Sequence, residues 1–151
     1  GAKLYFADHL VQHAGILVGV RGALAHANQD FSAKREGYLA RAVRPGNFSA
    51  VTGACQMVRR DVFEQVGGYN EEFADFCLRV WEAGYRTIFT PYAELYHYEF
   101  TSRGREEANE EKLRRWKREQ ALFTQRWPEF FLTGDPWLGP NLSSESEYFS
   151  L

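Results

Sequence analysis

The sequence has little of what marks whole classes of protein. It holds two cysteines among 151 residues, Cys55 and Cys77. One falls in a predicted strand and the other in a predicted helix, so they read as buried thiols of a cytoplasmic protein, without a disulfide framework or a zinc site. No stretch approaches the run of about 18 apolar residues that a membrane helix needs, and the first residues carry no secretory-signal pattern. The expectation is a cytoplasmic chain with no membrane span. Charge of one sign is missing too. The 18 basic and 20 acidic residues leave a formal net charge of −2, which gives no global field to attract nucleic acid. No internal repeat or low-complexity segment stands out. What is present in quantity is apolar and aromatic material. At 44% hydrophobic and 16% aromatic the chain has ample substance for a core, and its length fits one domain or part of one.

The chain is organised around the stretch from Val51 to Gly104. Val51 to Val58 is rich in small and β-branched residues, which predicts a buried strand. Gly53 and Ala54 are small enough for a ligand to come close, and equally for tight packing without one. Arg59 to Val66 predicts a two-turn helix with Val62, Phe63 and Val66 on one face, and Asp61 suits its positive end. Gly67 and Gly68 stop that helix. A polar loop, Tyr69-Asn70-Glu71-Glu72, follows. Asp75 is placed to cap a second helix, Phe76 to Ala83, with Phe76, Cys77, Val80 and Trp81 as its apolar stripe and Gly84 as its stop. Tyr85 to Thr90 reads as a strand that Pro91 ends, and Ala93 to His97 as a second extended piece. A neutral imidazole at His97 can bind a divalent metal, and an imidazolium can bind phosphate oxygens. A hydrogen-bonded structural histidine is the alternative.

Before this stretch, Gly1 to Val20 predicts a hairpin turning at Asp8-His9. His9 and His13 have a metal-ligand spacing only on a helix, which the β-rich context argues against. Arg21 to Ser49 reads as loop, with a short helical possibility from Glu36 to Ala42. His26 with Arg35, Arg41 and Arg44 could meet an anionic acceptor there, or simply be solvated. After it, Glu106 to Trp127 predicts the strongest helix, with Leu113, Trp116, Phe123 and Trp127 as its stripe and acids before bases along its dipole. Its basic run invites a nucleic-acid or membrane-surface reading, with steep salt dependence for the former. The acids beside it favour a solvated face. Pro128 ends the helix, and Phe130, Phe131, Trp137, Leu138 and Leu142 predict a tail that wraps back on the domain. Residues 143–151 read as loose, apart from possible docking at Tyr148-Phe149.

Three segments in order, TGACQMVRRDVFEQVGGYNEEF, DFCLRVWEAGYR and TPYAELYHYEFTSRG, resemble the C-terminal half of the catalytic domain of bacterial family-two glycosyltransferases. These are inverting GT-A enzymes, many of them acting on rhamnose-containing or other cell-surface polysaccharides. The resemblance runs from Gly1 to Pro140-Asn141-Leu142. It implies an α/β fold over residues 1–151: a partial GT-A domain, the acceptor-side part, with a mixed sheet, two short helices and one long C-terminal helix. It implies transfer of a sugar from a nucleotide-sugar donor to a glycan acceptor, with Mn2+ or Mg2+ at the diphosphate. By position, Gly53 and Ala54 match the small-residue strand bordering the sugar. Gly67, Gly68, Tyr69, Asn70 and Glu71 match the loop on the acceptor side. Asp75 lies in the segment that supplies the catalytic base. His97 matches a histidine that helps hold the metal-diphosphate, and Ser102 and Arg103 match a segment that closes over the nucleotide.

Two departures bear on that expectation. The family has several more residues, with an acid of their own, between a phenylalanine like Phe73 and an aspartate like Asp75; here Phe73-Ala74-Asp75 is contiguous. If the loop is truly short, the usual base is gone and Asp75 caps its helix. The chain also opens directly in a strand, after the family's nucleotide-binding half and its Asp-x-Asp motif. The alternative expectation is thus a non-catalytic transferase piece that binds glycan or a partner domain. An exposed sheet edge where that half would sit favours self-association.

Overall fold

The computed structural model describes residues 1–69, 73–98 and 110–151, with the side chain of Lys112 left out. Among the described residues the strands are β1 (Ala2–Tyr5), β2 (Val11–His13), β3 (Ile16–Val20), β4 (Ala23–His26), β5 (Gly46–Asn47) and β6 (Ile88–Tyr96). The helices are α1 (Arg60–Gln65), α2 (Phe73–Glu82), α3 (Glu110–Arg126) and α4 (Pro128–Thr133). The larger sheet runs β2-β1-β6-β5. Strand β1 is antiparallel to β2 and parallel to β6, and β5 is antiparallel to β6. Strands β3 and β4 form a separate antiparallel pair. The class is α/β with a mixed sheet, as the resemblance implied. No described helix is long and apolar enough to cross a membrane.

The expected N-terminal hairpin forms between β1 and β2, but its second arm breaks in two. The break is at Gly15, with φ at +104° and Phe48 pressed so close that a Cβ would lie 2.5 Å from its ring. No other residue fits that conformation and that gap. Beyond it β3 leaves the first sheet and pairs with β4, a strand in the segment read as loop. The helical possibility there is a single 3-10 turn, Tyr38–Ala40.

Val51 to Val58 is not a strand. Ala50 makes one bridge to Ile16, and from Thr52 the chain turns and opens to solvent. Pro91 does not end β6. One step along β1, from Ala2 to Lys3, spans Thr90 to Glu94 on β6. Residues 91–93 bulge out of the pairing with β1, where proline's missing N–H leaves no gap in the ladder.

Buried apolar residues of β3, α2 and the C-terminal helices meet Phe48 and Phe89 in one core. Helix α2 starts at Phe73, so Asp75 lies in its first turn and not at its cap. Its stripe buries Phe76, Cys77 and Val80 but leaves Trp81 partly exposed. Helix α3 buries Phe123, and Trp127 is buried just past its end, while Trp116 stays 44% exposed. The tail does wrap back: Asp135 accepts hydrogen bonds from the backbone N–H groups of Val18 (2.7 Å) and Trp137 (2.8 Å). Residues 143–151, expected loose, are tied down. Arg21 pairs with Glu147 at 3.0 Å, and Phe149 is buried between the Arg41 guanidinium and the Phe48 ring.

Candidate functional site

The sequence-predicted residues fall into two groups. The first surrounds the junction of α1 and α2. Gly67 (φ +81°) and Gly68 (φ +70°) turn the chain out of α1, and the Gly68 N–H donates to the Phe63 carbonyl at 2.8 Å. Arg79 holds this turn from outside. Its guanidinium donates to the Val66 and Gly68 carbonyls, the latter at 2.8 Å, and so caps the end of α1. One helical turn back, Asp75 Oδ2 accepts from Arg79 Nε at 2.8 Å. Asp75 Oδ1 accepts from Trp127 Nε1 at 3.0 Å and faces Arg126 Nε at 3.1 Å. The carboxylate is 4% exposed. It therefore joins α1, α2 and the end of α3, with both oxygens engaged.

Around this tie the smaller residues make an open wall. Tyr69 stacks at a tilt on Phe76, 4.6 Å between centroids, and its hydroxyl donates to Gln56. Gly53 and Ala54 are exposed on the turn after Thr52, with Gly53 facing the Cβ of Phe73. Beside the wall a cleft of about 400 Å3 is lined by Val51, Gln56, Met57, Phe76, Tyr85 and Thr87, among others. Asn70 and Glu71 lie outside the described residues, as do Ser102 and Arg103.

The second group sits at the C-terminal ends of the parallel strands β1 and β6, the side of an α/β sheet where ligands bind. Tyr5 pairs with Tyr96, and the His97 N–H donates to the Tyr5 carbonyl at 2.9 Å. Here His97 emerges, half-buried. Its Nδ1 meets Gln12 Oε1 at 3.0 Å, and Gln12 Nε2 donates to the His97 carbonyl at 3.4 Å. His9 Nδ1 meets the Tyr96 hydroxyl at 2.6 Å. Tyr5 donates its hydroxyl to Glu94 at 2.8 Å; burial and that hydrogen bond push its pKa up. Lys3 is buried below, where desolvation pulls its pKa down against the pull of Glu94.

Strand β2 connects the two groups, because Gln12 and His13 are consecutive and point to opposite sides. His13 Nε2 accepts from the backbone N–H groups of Gly15 (3.3 Å) and Thr52 (3.4 Å), so the Thr52–Ala54 turn hangs from it. His13 Nδ1 meets His26 Nδ1 at 3.2 Å. Burial holds His13 well below the usual histidine range and His26 down to about 4, so both are neutral. This corrects the solvated or anion-meeting role for His26. Arg41 likewise packs over Phe48 and Phe149, and Arg35 over Phe31.

For the Mn2+ or Mg2+ that the resemblance implies, His97 Nε2 is one candidate donor. Among the described residues no group of three or more His, Cys, Asp or Glu converges, so they do not by themselves fit the donor set of such an ion. Gln12 and Gln56 were missed by sequence reading. A lone glutamine carries no spacing signal; only the fold brings Gln12 to His97.

The family described as Glycosyl transferase family group 2 matches residues 4–127. A protein of Sinorhizobium fredii named "Uncharacterized protein y4gI" is 41% identical over 158 residues, covering 100% of this chain and 17% of that protein. The O-antigen biosynthesis protein RfbC of Myxococcus xanthus is 32% identical over 153 residues, 95% of this chain and 11% of that protein. An N-acetylglucosaminyl-diphospho-decaprenol L-rhamnosyltransferase of Mycobacterium tuberculosis is 35% identical over 65 residues, 39% of this chain and 21% of that protein. The chain thus spans less than a fifth of the length of the first two relatives, 17% and 11%. No solved structure matches it. With the family match covering most of its length, in the order of motifs and the α/β frame already described, the chain belongs to glycosyl transferase family group 2.

Proposed function

We propose that this chain supplies the acceptor-side part of a glycosyltransferase that moves a sugar, with inversion, from a nucleotide-sugar donor to a glycan acceptor in cell-surface polysaccharide synthesis. The observation that carries this reading is the family match over residues 4–127 together with His97 at the C-terminal ends of two parallel strands. The relatives named for O-antigen biosynthesis and rhamnosyl transfer point to the polysaccharide class.

In this reading the acceptor hydroxyl attacks the sugar carbon as the nucleoside diphosphate leaves, and a carboxylate takes the hydroxyl proton. His97 lies toward the diphosphate, in contact with it directly or through a cation. The wall of Gly53, Ala54, Gly67, Gly68 and Tyr69 lies toward the sugars; Asn70 and Glu71, by resemblance on the acceptor side, and Ser102 and Arg103, by resemblance at the nucleotide, lie outside the described residues. Asp75 is the carboxylate candidate, and general-base help is worth roughly 10²–10⁴-fold. It acts as a base only when Trp127 and Arg126 release Oδ1.

A second reading is favoured by that same engagement of both Asp75 oxygens. In it Asp75 holds the Gly67-Gly68 turn, and the chain binds glycan or a partner segment without turnover. Trp127→Phe separates the two, because it removes one donor from Asp75. Transfer from a UDP- or dTDP-sugar, measured as nucleotide release, rises or holds if Asp75 is the base. If Asp75 is purely a tie, the variant loses stability and neither it nor the wild type shows transfer. No transfer by the wild-type protein from any nucleotide-sugar would contradict the first reading.

A further inference from the structure

The geometry points to Gln12 as a positioning residue that locks His97 in its Nδ1–H tautomer and so presents Nε2 as a bare electron pair. This rests on the reading of His97 as the contact at the donor end. Gln12 is 2% exposed and lies on β2, and β1 stands between β2 and β6. Its side chain therefore reaches across the end of β1 to a residue beyond β6.

Both ends of the Gln12 amide are used on one residue, and that decides the tautomer. A backbone carbonyl accepts and never donates. The atom facing the His97 carbonyl at 3.4 Å must be the NH2 group. The other atom, 3.0 Å from His97 Nδ1, is then the oxygen, which can only accept. Nδ1 must carry the proton, so neutral His97 has none on Nε2. Nε2 has no hydrogen-bond partner among the described residues. The amide cannot flip without setting two donors or two acceptors face to face. Gln12 is followed by His13, which the backbone N–H groups of Gly15 and Thr52 hold in place. The clip is thus anchored from behind.

The consequence concerns what His97 can touch. A bare Nε2 repels a phosphate oxygen, since both bring electron pairs. It accepts a hydroxyl hydrogen or a cation. The partner at His97 is therefore electron-poor, and a direct contact to diphosphate oxygen requires the imidazolium.

Long-range 1H–15N spectra of histidine-labelled protein at about pH 8, where free imidazole is neutral, test the lock without turnover. His97→Gln assigns the signals. The expected result is His97 protonated at Nδ1 in the wild type and largely at Nε2 in Gln12→Met. A wild-type His97 protonated at Nε2 overturns the proposal, and so does a folded Gln12→Met protein with an unchanged spectrum. Two additions identify the partner. Broadening of the His97 signals by Mn2+ with UDP marks a cation, and a shift of Nε2 by glycan acceptor alone marks a hydroxyl. The affinity for whichever binds falls about tenfold in Gln12→Met, the usual cost of losing an outer hydrogen bond to a contact histidine; an unchanged affinity overturns the positioning role. Failure of the wild type to bind UDP counts against the proposed function, while the tautomer spectra still decide the lock.

Discussion

Asp75 ties together three side chains, those of Arg79, Trp127 and Arg126. Replacing it with asparagine leaves Arg79 and Arg126 facing a neutral amide at a 4% exposed position. The expected loss is about 3–5 kcal/mol, the usual cost of removing one partner of a buried pair, read as a fall in the urea midpoint. An unchanged midpoint would mean that the tie is not formed in solution. The buried histidines make a second prediction. His26 is pushed down to about 4 and His13 below the usual range, whereas the unfolded chain takes up protons near 6.5. Between those values the unfolded state binds more protons, so stability is whole above about pH 6.5 and falls as pH drops toward 4. His26 alone implies a loss on the order of 2 kcal/mol from pH 7 to pH 5. Asp135, raised by burial, works in the opposite sense nearer its own range. Denaturation at a series of pH values checks the slope; a flat profile would place these imidazoles in water. None of this was legible in the sequence. Asp75 looked like a helix cap because its partners, Trp127 and Arg126, are some fifty positions away, and His26 looked like a loop residue because β4 has no strong β pattern.

The elements that could be read are those whose stop signals are local. Helix α1 ends at Gly67-Gly68, and α2 ends before Gly84, because a positive φ there is a property of the residue itself. The elements that could not be read depend on distant partners. Val51 to Val58 has strand composition, yet past the bridge at Ala50 no described strand forms a ladder with it. β6 passes through Pro91 because its neighbour β1 skips residues 91–93. The tie between elements is itself testable. Trp127→Phe keeps the ring but removes the N–H that joins the end of α3 to α2 through Asp75. The expected cost is about 1–3 kcal/mol, with amide exchange quickening first in the last turns of α3. Uniform quickening through α2 and the sheet would contradict a local tie.

At the scale of the whole molecule, the core and the sheet place two groups of residues on one frame, the wall beside Tyr69 and the histidine at the ends of β1 and β6. Strand β2 runs between them, with His13 holding the Thr52 turn and Gln12 holding His97. The order of motifs made the family resemblance legible; the link through β2 was not, because Gln12 and His13 belong to no motif. On the proposed function this frame receives the diphosphate end of a nucleotide-sugar at His97. The most direct test is calorimetric titration of the protein with UDP and dTDP, with and without Mn2+, for the wild type and His97→Ala. At least one nucleotide is expected to bind, and that binding to be lost or weakened more than about tenfold in His97→Ala. No binding of either nucleotide, or binding indifferent to His97, would contradict it.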